Sequence, residues 1–405
     1  MPRRVVFFTV APIGSIAESG VYTDLVREFS ARGCDVTVIS PAESRYGVQP
    51  GVTLEGGIRI IRVQAGGVTK VRSALRKGLA TLLMEHRFIA AIRHHLRNEY
   101  FDLVLYTAPP VNVDRIVRRL KRQSLCHSYL MLKDIFPQNA VDLGIMRKGG
   151  LAWRYFRRRE RRLYKVSDTI GCMSQANVRY VLSHNPEVDA GKVEVCPNSI
   201  SPIPVPARKS GLTRAALGIP GEAFLIVYGG NLGVPQGIGF LLEILDHFRD
   251  RGDVYFVIAG SGTEYRRIQQ HLAGKTHANA QLVESMPRRD FTALLADADV
   301  GVVLLDRRFT IPNFPSRLTS YLEAGLPVIS ATDRQTDLPQ VLAETGCGIG
   351  VESGDLAGFV EAVDSMMSDR AGTLEMGVRA RRLLEERYTV AHSYELIMSH
   401  LEASK

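Results

Sequence analysis

Short, β-branched apolar runs recur along this chain with helix-compatible stretches between several of them, and the series runs twice. Residues 5–10, 36–39, 58–63 and 103–106 form the first series, and 224–228, 254–258, 300–305 and 328–330 the second. Such alternation predicts parallel strands with crossover helices, an α/β architecture. The chain has 405 residues, 45% of them hydrophobic, whereas single cores rarely outgrow ~250–300 residues. Two doubly wound sheets in tandem is the economical reading. Pro197, Pro202, Pro204 and Pro206 lie between the two series, where they deny a regular helix or a central strand and set a linker. The last stretch, 390–401, carries apolar residues at helical spacing.

A charged fraction of 23% and a mean hydropathy near zero describe an ordinary globular chain that needs no membrane span. Arg3 and Arg4 precede an apolar run, but it ends at Pro12 and Gly14 without a small-residue cleavage site. It reads as a first buried strand rather than a signal peptide. Cys34, Cys126, Cys172, Cys196 and Cys347 are odd in number and never in C-x-x-C spacing, which favours a reducing cytoplasm and no zinc site. The net charge is +9, and much of the excess falls in two segments, 70–97 and 147–165.

Open α/β sheets bind ligands beyond the carboxyl ends of their strands. There the sequence Asn313-Phe-Pro-Ser-Arg-Leu-Thr-Ser-Tyr-Leu-Glu-Ala-Gly-Leu-Pro-Val-Ile329 combines a helix start, a helix stop and the next strand. Pro315 suits the first helical position, Gly325 the residue past the end, and Pro327 prevents continuation. Free N–H groups at that start, with Arg317 in the first turn, would make a cationic pocket for a pyrophosphate; an arginine decorating a surface helix is the plainer alternative. A second loop, Tyr228-Gly-Gly-Asn-Leu-Gly-Val-Pro-Gln-Gly237, follows a strand and opens a helix, with glycines that let backbone approach a ligand and with Asn231 and Gln236 as donors. Ala259-Gly-Ser-Gly-Thr-Glu264 lacks the third glycine of a nicotinamide fingerprint, since position 265 is Tyr265. Asp297-Ala-Asp299 reads as a solvated turn between a helix and a strand, and no metal is expected.

These motifs, with Leu132-Lys-Asp-Ile-Phe-Pro-Gln-Asn139, Pro197-Asn-Ser199 and Ala331-Thr-Asp-Arg-Gln-Thr-Asp337, resemble the retaining family-4 glycosyltransferases. Within them they are similar to the O-antigen and capsule subgroup that includes L-fucosamine transferases. The resemblance covers nearly the whole chain. It implies a GT-B fold, two Rossmann-like domains facing a central cleft. The acceptor domain would be 1–200, with 387–405 returning to it as a helix, and the donor domain 205–386. It implies a nucleotide sugar, usually a UDP-sugar, held by Gly229, Gly230, Asn231, Gln236, Ser261, Met286, Pro287, Asn313, Phe314, Pro315 and Ser316, with no metal or other cofactor. Two departures stand out. The two glutamates that many members carry are replaced by Pro312 and Ser320, and the arginine and lysine of the glycine-rich loop by Asn231 and Gln236. Arg317 then carries more of the diphosphate charge, and Glu323 or Ser320 is left as the ribose ligand.

Lys133 and Asp134 follow the apolar stretch 129–132, so Asp134 stands at a strand's carboxyl end. It is either a local cap or, as the resemblance implies, a group positioning the transferred sugar, with Lys133 as its neighbour. In the loop Pro12-Ile-Gly-Ser-Ile-Ala-Glu-Ser-Gly20, Gly14 and Ser15 are small enough for backbone to approach a donor phosphate. The chemistry implied is front-face displacement with retention, the leaving phosphate held by Arg317 and backbone N–H groups.

Segment 70–97 interleaves Val71, Leu75, Phe88, Ile92 and Leu96 with lysine and arginine, and 147–165 sets Trp153, Tyr155, Phe156 and Tyr164 among nine cations. Both suit an anionic membrane surface, which places a polyprenyl-diphosphate-linked acceptor and a peripheral enzyme at the inner face of the cytoplasmic membrane; packing into the first domain is the alternative. Two other classes remain, a GT-B sugar-nucleotide epimerase and a basic nucleic-acid-binding protein, although no helix-turn-helix, KH, RRM or zinc-finger signature is present.

Overall fold

The computed structural model describes residues 2–42, 47–64, 74–205, 211–274, 277–284 and 286–402, without the side chains of 74–83. Lys70, Val71, Arg72 and Pro206 lie outside the described residues, as does the side chain of Leu75. The chain divides into two compact units, Met1–Ser201 with Thr389–Lys405, and Pro202–Tyr388.

Among the described residues the first unit builds an eight-stranded sheet. Its strands are β1 (Arg4–Phe8), β2 (Asp35–Ala42), β3 (Gly51–Glu55), β4 (Ile58–Gln64), β5 (Leu103–Ala108), β6 (His127–Leu132), β7 (Thr169–Cys172) and β8 (Val193–Val195). Their order is β3-β4-β2-β1-β5-β6-β7-β8, parallel throughout except for the antiparallel pair β3–β4. Successive strand residues point to opposite faces. Val6, Phe8, Val104, Tyr106, Leu130 and Leu132 thus share one core with Phe88, Ile92 and Ile116, while Val5, Phe7, Leu103, Leu105 and Met131 share another with Leu25, Phe29 and Ile397. Helices cover both faces, which is why these strands read as unbroken apolar runs rather than as alternation. The helix Val390–Glu402 belongs to this unit. Its Val390, Ile397, Met398 and Leu401 enter the second core, and the Val390 N–H donates to the Ile200 carbonyl at 3.0 Å.

Among the described residues the second unit holds a six-stranded parallel sheet of β9 (Phe224–Asn231), β10 (Val254–Ser261), β11 (Ala280–Val283), β12 (Val300–Leu304), β13 (Val328–Thr332) and β14 (Gly348–Glu352), in the order β11-β10-β9-β12-β13-β14. Strand order reverses between β9 and β12, and the crevice beyond such a switch point is where open α/β sheets bind ligands. The helix Ile238–Phe248 buries Phe240, Leu241, Ile244, Leu245 and Phe248 against this sheet.

The pair Asp297 and Asp299 corrects its expected place in a solvated turn, because both are buried. The Asp297 carboxylate accepts the N–H groups of Gly211 and Thr213 at 3.1 and 2.9 Å, and Asp299 accepts Arg214 at 2.7 Å and the Leu225 N–H at 2.8 Å. They tie the entry of this unit to its central strand. Among the described residues no helix is long and apolar enough to cross a membrane.

Candidate functional site

In the second unit the site is built on the carboxyl end of β9. Gly230 lies at φ +110°, a conformation that side chains other than hydrogen rarely adopt. A Cβ added at Gly229 would overlap the Phe291 ring, and one at Gly260 the Gly230 carbonyl. β10 runs in register beside this segment, with Ser261 opposite Asn231, and the Leu232 N–H donates to the Ser261 carbonyl at 2.9 Å. The next turn, Val234–Gln236, ends on Gly237, whose φ of +60° opens the helix Ile238–Phe248.

Arg317 reaches into this loop. Its guanidinium donates to Gln236 Oε1, and its Cζ lies 4.5 Å from the centre of the Tyr228 ring, a cation–π distance. A Cβ at Gly230 would stand 3.9 Å from the same carbon, so the guanidinium lies against bare backbone. Nη1 of Arg317 is enclosed and has no hydrogen-bond partner, and among the described residues no carboxylate comes within ion-pair reach of the side chain. Burial pushes the Tyr228 hydroxyl up, against the lowering effect of the cation beside it. Tyr321, one turn beyond Arg317, accepts the Gly229 N–H at 3.0 Å and donates to the Val302 carbonyl at 3.1 Å. It fastens the short helix Arg317–Glu323 to the centre of the sheet.

That helix begins later than the sequence predicts. Pro315 opens a tighter turn, in which the Leu318 and Thr319 N–H groups donate to the Pro315 and Ser316 carbonyls, and regular helix starts at Arg317 with Ser316 as its exposed cap. The Asn313 carbonyl accepts the Thr336 hydroxyl at 2.6 Å, while Asn313 Nδ2 is enclosed without a partner. Phe314 is buried against Tyr388. Ser320 is half-buried on the same helix. Met286 and Pro287 stand ahead of the helix Arg288–Asp297, the one that supplies Phe291. Glu323 does not fit the place of a ribose ligand. Its carboxylate is taken by the Ile203 N–H and by Arg288, each at 3.2 Å, at the far end of the helix from Arg317.

In the first unit the expected groups other than Lys133 find their partners nearby. Gly14 is exposed, and its carbonyl accepts Arg62 at 2.7 Å; the Ser15 hydroxyl donates to Glu55 at 3.1 Å. Asp134, just past β6, accepts the Ile135 N–H at 2.7 Å and the Asn139 amide, yet burial outweighs these bonds and raises its carboxyl to about 6. Burial likewise lowers Lys133 to about 8, with the Cys196 and Cys172 thiols facing it, and its Nζ is enclosed without a partner.

The basic segments are only partly surface. Phe88, Ile92 and Leu96 pack in the core, as does Tyr164, whose hydroxyl donates to Glu160. Arg159 is buried between Glu85 and Asp114 at 2.9 and 2.8 Å. Such an arginine looks like its solvated neighbours in sequence, because its carboxylates lie 74 and 45 positions away. Leu151 and Tyr155 of the second stretch do face outward, at 87% and 43% exposure, as does Ile145 just ahead of it, at 75%. Sequence reasoning also passed over Tyr321, which its position inside the quoted motif could have flagged, and Arg288, which carried no signal.

Comparison with known proteins matches residues 19–199 to the model described as glycosyl transferase 4-like domain and 223–369 to that described as glycosyl transferases group 1. A protein of Pseudomonas aeruginosa described as a glycosyltransferase, WbjE, is 22% identical over 79% of each chain. WcaI of Escherichia coli K12, described as a colanic acid biosynthesis glycosyl transferase, is 29% identical over 45% of this chain and 41% of its own. The solved structure of Anabaena Alr3699/HepE in complex with UDP-glucose superposes with a TM-score of 0.68 at 13% identity, over 99% of both chains. Neither matched model describes an epimerase or a nucleic-acid-binding module. With one glycosyltransferase model on each unit and the twin parallel sheets of the GT-B fold, the chain belongs to the family-4 type of glycosyltransferases.

Proposed function

We propose that the chain transfers a sugar from a UDP-sugar, with retention of configuration and without a metal, to a polyprenyl-diphosphate-linked saccharide in surface-polysaccharide assembly. The observation that carries this reading is the guanidinium of Arg317, enclosed on one nitrogen, unpaired with any described carboxylate, and laid against glycine backbone. A half-buried cation with an enclosed, unsatisfied nitrogen is costly unless an anion completes it, and a diphosphate leaving group supplies the anion. The bond from the anomeric carbon to the diphosphate breaks as the acceptor oxygen bonds to the same face of that carbon, and the acceptor's proton passes to a diphosphate oxygen. Arg317 and backbone N–H groups then stabilise charge where it develops. Asp134 positions the transferred sugar, with Lys133 behind it.

Two relatives support the substrate classes, one named for colanic acid biosynthesis and one solved with UDP-glucose. Exposed Ile145, Leu151 and Tyr155, near Arg154 and Arg158, provide apolar and cationic groups for the inner face of the cytoplasmic membrane. The test is a thermal-shift panel of nucleotide sugars. A ligand at about a hundred times its dissociation constant stabilises by about 2.7 kcal/mol. One UDP-sugar should raise the melting temperature of the wild type and leave that of Arg317→Ala unmoved; an equal shift in both proteins refutes the assignment.

A further inference from the structure

In the first unit, the helix Asp114–Ser124 carries Arg115, Arg118, Arg119 and Arg122, spaced i, i+3, i+4 and i+7 and therefore on one face. Its opposite face, Ile116, Val117 and Leu120, is core. Four arginines on a helix surface would ordinarily be a solvated stripe. Here the end of a second helix, Ala74–His95, and the turn after it bring Arg93 and Arg97 against that face. The six guanidinium-bearing side chains line one cavity of about 620 Å³, and no aspartate or glutamate is among its lining residues.

The walls are held in place. Gln123 donates to the carbonyls of Leu96 and Glu99, the second at 2.7 Å, which fixes the end of one helix to the end of the other. The two carboxylates within reach, Glu85 and Asp114, are fully buried and already engaged by Arg159; Arg115 and Arg118 approach them only at 3.8 and 3.4 Å. Arg119 Nε is enclosed without a hydrogen-bond partner. Six like charges around one hollow repel one another and draw in anions. Guanidinium forks match the oxygens of phosphate in pairs, which the point charge of lysine does not.

The geometry points to a binding site for a ligand carrying several phosphate charges in the groove between these two helices, separate from the proposed donor site. The ligand is either a soluble oligophosphate or the headgroups of an anionic phospholipid layer, and the two sources share the chemistry that the arginines recognise. Neither the fold nor the transfer reaction requires the groove to be cationic, so its loss leaves donor binding intact.

The experiment uses the full chain carrying Arg317→Ala, so that the donor site does not report, with and without Arg119→Gln and Arg122→Gln. Calorimetry with inorganic tripolyphosphate and flotation with phosphatidylglycerol in phosphatidylcholine vesicles are the two arms. The added pair should melt no lower than its parent, because Arg122 is exposed and the half-buried Arg119 stands among like charges, and should weaken binding in one arm by about tenfold or more, the scale of two lost charge-assisted hydrogen bonds. Loss in the calorimetric arm identifies a soluble ligand, and loss only in flotation identifies the lipid headgroup. Equal binding by parent and variant in both arms overturns the site, as does preferential capture of a single-stranded oligonucleotide over both probes.

Discussion

Two glycine-bearing loops stand at the carboxyl ends of first strands, and they owe their glycines to different causes. In the second unit the protein itself demands them, since Gly229 abuts Phe291, Gly230 has φ +110°, and Gly260 on the neighbouring strand β10 abuts the Gly230 carbonyl. In the first unit, a Cβ at Gly14 would meet nothing closer than the Glu18 carboxylate at 3.6 Å, an ordinary contact. The polar groups do not follow the glycines. Ser15 and Asp134 are satisfied by residues of their own unit, whereas Arg317 in the second unit and Lys133 in the first each keep an enclosed nitrogen without a partner among the described residues. A glycine therefore says little about ligands until its neighbours are seen, and an enclosed, unsatisfied nitrogen on a cation says more.

The comparison breaks most visibly at Gly260. Gly260→Ala forces a methyl group into backbone that has no room to yield, and should cost about 2–4 kcal/mol in urea unfolding of the second unit. A loss below 1 kcal/mol on the same scale would show that the strand pair relaxes and that these glycines are not packing residues.

Asp134 tests the other side. Its folded-state carboxyl, at about 6, lies above the ordinary value of 3.8. The folded state therefore binds more protons than the unfolded state between these values, and stability falls as pH rises from about 4 to 6. Asp134→Asn should flatten that slope by about 1–2 kcal/mol, allowing for the residue's partial exposure. Melts across this window that keep the same slope in both proteins would mean that solvent, rather than burial, sets its protonation.

The smallest effect is expected at Gly14. Gly14→Ala should change stability by no more than about 0.5 kcal/mol, as surface substitutions do. A fall in donor affinity at unchanged stability would then assign this glycine to close approach of a ligand, and unchanged affinity would leave it a local turn residue.

The eight apolar runs recognised in the sequence all became strands, since buried parallel strands are written as contiguous β-branched residues. Most strands that escaped are of another kind. β3 has no buried residue, β8 is three residues long, and β14 is glycine-rich with its side chains mostly part-exposed, while β7 and β11 are only four residues each, too short to stand out as apolar runs. The placement of Arg317 was legible because proline and glycine punctuate its helix. Its contact with Gln236, 81 positions earlier, was not, and neither was the engagement of Glu323 with Ile203 and Arg288. Contacts between distant positions leave no local spacing to read. The same holds for Asp297 and Asp299, whose burial follows from Arg214 and from main-chain donors far upstream.

The return of the helix Val390–Glu402 to the first unit has a consequence for biosynthesis. Val390, Ile397, Met398 and Leu401 complete a core begun by Leu25 and Phe29, some 370 residues nearer the start of translation. Residues 202–388 form their own continuous unit and can fold as they leave the ribosome, since domains form as units in order of synthesis. The earlier-made half must meanwhile keep one apolar face waiting. A chain cut short before residue 390 and released from the ribosome should thus carry a finished downstream half and an upstream half still open to chaperones.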